Sequence, residues 1–164
     1  MSKEQLQQKI VDMEKQLAEL KKELEKKDKG IWKPELDENY YSIDNSGDID
    51  CQANIQTAID VEIFNFGNYY KTREEALKQA NYLKYTNLLR KYVEEHSEPI
   101  DWRSIDTPKH YIWYDHEIKI LKTGHDIWAR LQGIIYASSE EVLKDAIEFV
   151  GEENLKKYVF QVEE

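Results

Sequence analysis

Hydrophobic positions recur along this chain with three different periods, and each predicts a different element. Leu6, Ile10, Met13, Leu17, Leu20 and Leu24 alternate spacings of four and three. With Leu6 at d and Ile10 at a, they form the seam of a coiled coil over nearly three heptads. Gln, Glu, Lys and Ala fill the other positions and all tolerate a helix. So narrow a stripe buries little in a lone helix, so residues 1–29 are expected to self-associate. A dimer is favoured and a trimer is the rival. In a parallel dimer Lys9 faces Glu14 favourably and Glu23 faces Asp28 unfavourably. Gly30 fits the residue after the helix end.

The rest, residues 31–164, predicts an α+β domain. Tyr40–Ile43 and Asp48–Cys51 flank Asp44-Asn45-Ser46-Gly47 and read as a hairpin. Ile59, Val61 and Ile63 alternate with Asp60, Glu62 and Phe64, the period of a strand with an acidic outer face. Thr72 opens a helix to about Glu95, with an apolar stripe from Ala76 to Tyr92. His96 to Lys109 is a linker carrying Pro99 and Pro108. Tyr111–Tyr114 and Ile118–Leu121 flank a turn at Asp115-His116-Glu117, and a third strand runs from Ile127 to Ile135. A helix capped by Ser138 follows, then a last strand through Tyr158, Phe160 and Val162.

One junction occurs twice. Gly67, Tyr70, Thr72, Glu75 and Leu77 share a single offset with Gly133, Tyr136, Ser138, Glu141 and Leu143. Each copy leads into a hydroxyl with Glu three places on, the capping box of a strand turning into a helix. The expected order is a coiled-coil helix, then two β-β-β-α pseudo-repeats with antiparallel sheet (about 38–95 and 110–162).

Charge sharpens the picture. The 164 residues hold 23 Lys and Arg against 33 Asp and Glu, a net charge of −10. Residues 1–29 carry eight Lys and seven acidic residues, so the excess lies in the remainder. No Lys or Arg occurs from Pro34 to Tyr70, where Asp44, Asp48, Asp50, Asp60 and Glu62 fall. Such a surface repels phosphate backbones and argues against direct nucleic-acid binding. It suits a basic protein partner, including a groove built to hold nucleic acid. Tyr40 and Tyr69, among these carboxylates, are candidate aromatic anchors.

Catalytic and metal motifs do not assemble. Asp44-x-Ser46-x-Asp48-x-Asp50 resembles the start of a calcium loop, but Ile49 and Ile55 stand where Gly and Glu are required. His96, His110, His116 and His125 lack zinc spacing, so no metal is expected. Ser138-Ser139 lies outside any nucleophile elbow. Lone Cys51 sits in an acidic strand that disfavours its thiolate. Phosphate-binding glycine loops are missing. A non-enzyme without cofactor is expected, and the single cysteine, lack of an apolar leader and lack of a spanning apolar run predict a cytoplasmic protein.

Trp32-Lys33-Pro34, Asn39-Tyr40-Tyr41-Ser42-Ile43, Gly47 and Gly67-Asn68-Tyr69-Tyr70-Lys71-Thr72-Arg73-Glu74-Glu75-Ala76 carry a resemblance. The chain is similar over roughly Ile31 to Val162 to small uncharacterised proteins of phages and prophages in low-GC Gram-positive bacteria. A tryptophan of that family between Gly47 and Gly67 has no counterpart here. The resemblance implies phage origin. Small acidic phage proteins without catalytic motifs are often inhibitors of host nucleic-acid enzymes, CRISPR nucleases and other defence proteins among them. The expectation is therefore an anti-defence (anti-CRISPR) inhibitor that places carboxylates where its target expects phosphates. The alternatives are a phage assembly or replication accessory protein oligomerised by the coiled coil, and a binder that sequesters a defence-signalling nucleotide.

Overall fold

The computed structural model describes the backbone of residues 3–28, 30–127 and 130–162; the side chains of 3–4 and 23–28 lie outside the description. The chain divides into two units, residues 1–35 and 36–164.

The first unit is one helix, α1 (Lys3–Asp28). Its interior has neither Gly nor Pro, so the predicted stripe falls on one continuous helix, with Val11 as an apolar residue beside it. Leu6, Ile10, Met13, Leu17 and Leu20 are all exposed. The Leu24 side chain, the expected Glu23–Asp28 contact and Lys29 at the helix end lie outside the described residues.

The second unit is α+β, with two small antiparallel sheets among the described residues. Strands β1 (Asn39–Ile43) and β2 (Ile49–Ala53) form the expected hairpin, in register Tyr41 opposite Cys51. Asp44 organises its turn, accepting the Ser46 and Asp48 amides, each at 2.8 Å. Gly47 supplies the positive φ of 88°.

Helix α2 (Ala58–Phe66) then corrects the strand expected through Ile59, Val61 and Ile63. Thr57 Oγ1 accepts the Asp60 amide at 3.2 Å, while Asp60 Oδ2 accepts the Thr57 amide at 2.8 Å. This reciprocal cap satisfies donors that a helix start leaves open. Gly67 ends the helix at φ 70° with its amide on Phe64. Over nine residues, both ends specified by hydrogen bonds outweigh a two-residue alternation.

Tyr70 bridges antiparallel to Tyr41 of β1. Helix α3 (Arg73–His96) follows, with Thr72 and Glu75 forming the expected capping box. It packs against the hairpin and the second sheet.

The second sheet has the order β4-β3-β5, from β3 (Lys109–Asp115), β4 (Ile120–Asp126) and β5 (Tyr136–Ala137). The third strand is thus two residues long rather than running from Ile127 to Ile135; Gly133 turns the chain at φ 82°, and residues 128–129 are not described. Tyr136 lies opposite Tyr111 of β3. Helix α4 (Glu140–Val150) is capped by Ser139, whose Oγ accepts the Val142 amide, and not by Ser138. Ser138 is used elsewhere: its Oγ accepts the Glu98 amide at 3.0 Å, and its own amide donates to Ser97 Oγ. Gly151 ends α4. A turn, α5 (Glu152–Asn154), then runs into a π-helical Leu155–Val159, which takes in Tyr158, where the expected last strand through Phe160 and Val162 was to begin. Leu155 is fully buried there, and Tyr158 stacks on Tyr85 at 4.9 Å between ring centres.

The core joins Leu89 and Val93 of α3, Ile112 of β3, Ala137 of β5 and Leu143, Ala146 and Val150 of α4 with Leu155. Among the described residues, no helix is long and apolar enough to cross a membrane.

Candidate functional site

The Lys- and Arg-free segment folds into the β1–β2 hairpin and α2, and one buried pair fastens α2 in place. The Tyr40 hydroxyl donates to Asp60 Oδ1 at 2.6 Å. Tyr40 is 0% and Asp60 3% exposed. The second Asp60 oxygen accepts from Thr57. Burial foremost, then the neighbouring carboxylate, pushes the Tyr40 hydroxyl far above its ordinary pKa, so it remains a donor. The Tyr40 hydroxyl first, and Thr57 next, hold the Asp60 carboxyl below the usual range.

The pair corrects the expectation that Tyr40 and Asp60 face a partner. Both side chains point inward and are engaged with each other. Phe64 completes the joint, meeting Tyr40 and Tyr69 edge-on at 5.3 and 5.2 Å. Tyr69 is half-buried. Asp44 is exposed but partly committed to its turn. Asp48, Asp50 and Glu62 are exposed carboxylates. Of the carboxylates predicted to form an acidic face, Asp44, Asp48 and Asp50 are thus exposed on the hairpin and Glu62 on α2.

Sequence reasoning missed two contributors. Asn68 donates from Nδ2 to the Ile43 carbonyl at 2.7 Å and accepts the Ile43 amide at 3.0 Å. Its side chain thus extends the edge of β1 as a backbone would. The repeated junction gave no signal for it, since Ile134 stands at the same offset after Gly133. The other is apolar: Ile59, Val61 and Phe66 of α2 are exposed, a property hidden while the segment reads as a strand.

Elsewhere, the cross-strand imidazoles His110 and His125 lie 5.7 Å apart between ring centres. Burial first and His125 second lower the His110 pKa, opposed by Glu140. Asp115 is taken by Lys122 at 2.7 Å and by its turn amides. Among the described residues, no three His, Cys, Asp or Glu side chains converge as a metal site. Cys51 is exposed and in no disulfide.

A cavity of about 490 Å³ lies between the end of α3 and residues 97–102 and 130–136. Arg90, Arg130 and Trp102 line it, as do Glu94 and Glu98. The Arg130 guanidinium lies 4.5 Å from the Trp102 ring centre, and Trp102 meets Tyr136 edge-on. Buried Lys109, outside the cavity lining, donates to the Ser104 and Ile127 carbonyls. No family model, curated protein or solved structure matches this chain.

Proposed function

We propose that this chain is a non-enzymatic, phage-encoded inhibitor that acts in the host cytoplasm. It docks its acidic face on a basic host protein, a nucleic-acid-processing or defence enzyme such as a CRISPR nuclease. One observation carries the reading: Asp48, Asp50 and Glu62 stand exposed on a lobe whose sequence, from Pro34 to Tyr70, supplies no cation to neutralise them. Carboxylates so arranged attract a groove that binds phosphates, and they speed association most at low salt.

Two features support the finer architecture. The exposed heptad stripe of α1 favours a homodimeric coiled coil, with a trimer as rival, which would present two acidic faces to one target. The pairing of Tyr70 with Tyr41 and of Tyr136 with Tyr111, each before a capped helix, favours the internal pseudo-repeat.

The test is a salt-dependent pull-down of the full chain from host lysate beside an Asp48→Lys, Asp50→Lys, Glu62→Lys variant. The reading requires a basic nucleic-acid enzyme that is retained at low salt, released at high salt and lost in the variant. Salt-insensitive recovery of phage structural or replication proteins would favour the assembly or replication accessory reading. A second reading, sequestration of a signalling nucleotide, draws support from Arg90, Arg130 and Trp102 around the cavity. Glu94 and Glu98 oppose a polyanion there, and calorimetry with nucleotides tests it.

A further inference from the structure

Helix α2 exposes apolar side chains that a small domain ordinarily buries. Phe66 is 89%, Ile59 63% and Val61 51% exposed. Positions seven apart share a helix face, with the position three or four away between them. Ile59, Glu62 and Phe66 therefore form one ridge, apolar then acidic then apolar. Rolling α2 to cover that ridge would break the Tyr40–Asp60 hydrogen bond, the Thr57–Asp60 cap and the Phe64 edge contacts. The fold thus fixes the ridge outward.

We propose that the Ile59–Glu62–Phe66 ridge is the anchor of the docking surface. Its occupant is a protein segment that seats a lysine or arginine on Glu62, between apolar side chains resting on Ile59 and Phe66. The inference rests on the acidic-face reading and specifies its partner chemistry. Charge complementarity selects the occupant. A second copy would bring together two lobes devoid of Lys and Arg, and anionic lipid headgroups or nucleic acid would meet the same repulsion. Aromatic side chains are favoured as interface anchors, and Phe66 supplies one beside the carboxylate that would receive the cation.

The test titrates the full chain with two synthetic probes: an amphipathic Lys/Leu helix, and a Lys/Ser peptide of the same length and charge. The Lys/Leu helix should bind about tenfold tighter or more. An Ile59→Ser, Phe66→Ser variant should bind both peptides equally, Phe66→Leu should keep the preference, and Glu62→Lys should weaken both. Ile118→Ser, at an exposed position in the β3–β4 turn, should change nothing. Equal binding of the two peptides, binding of neither, or a preference that survives the double serine variant would overturn the ridge. So would a fall in that variant's oligomer mass by sedimentation, which would make the occupant a second copy. The two readings separate in the lysate pull-down. A basic partner lost by the Asp48, Asp50 and Glu62 reversal but retained by the double serine variant overturns the ridge alone. No basic partner at all overturns the acidic-face reading with it.

Discussion

At the scale of single residues, the Tyr40–Asp60 bond does the most for the candidate site, because it decides which surface of α2 faces out. Tyr40→Phe leaves a buried carboxylate oxygen without its donor and should cost about 1–3 kcal/mol, measured by urea unfolding. The pH dependence has a definite sign. Asp60 has a folded pKa below its unfolded one, so its stabilisation is complete above the ordinary value of about 4 and fades as pH falls through the folded value. Asp60→Asn should be less stable at neutral pH and lose less stability on acidification. His110 also has a lowered folded pKa, so the unfolded chain binds its proton first. Stability should fall as pH drops below about 6.5, with His125 and Glu140 the charged groups that face it, and His110→Gln should flatten that part of the profile. Little of this was legible beforehand. Tyr40 and Asp60 are 20 residues apart, and no local pattern announces that a tyrosine and an aspartate among carboxylates will bury each other.

At the scale of elements, the capping signals were the most faithful guide. Thr72 with Glu75 marked the start of α3 correctly. Thr57 with Asp60 marked α2 by the same logic, but Ile59, Val61 and Ile63 also fit a strand, and that alternation obscured the cap. Ser138 misled by one residue because two adjacent hydroxyls precede the acidic pair, and the contact that separates them lies about 40 residues away at Ser97 and Glu98. The C-terminal alternation of Tyr158, Phe160 and Val162 lost to the burial of Leu155. The caps are testable: Thr57→Ala and Thr72→Ala should each cost about 0.5–2 kcal/mol. The Thr57 change should also loosen α2, seen as faster amide exchange there than in α3. Leu143→Ala, in the core between α4 and the second sheet, should cost about 2–5 kcal/mol.

At the scale of the whole molecule, the division into a heptad helix and an α+β unit was readable because the 3.5-residue repeat ends near Gly30 and periods typical of sheets and capped helices take over. The exposed stripe of α1 carries the assembly prediction. Leu17→Glu should reduce the sedimentation mass to that of one chain, and it should weaken inhibition without abolishing it, since each globular unit keeps its acidic face. Abolition would instead favour an accessory role carried by the coiled coil. The central claim is that exposed carboxylates on the Lys- and Arg-free lobe engage a basic partner. The most direct measurement is retention of that partner from host lysate by the full chain and by the Asp48→Lys, Asp50→Lys, Glu62→Lys variant, across a salt series. The account predicts retention by the unmodified chain at low salt, loss at high salt and loss in the variant at every salt. Retention by the variant equal to that of the unmodified chain would contradict it.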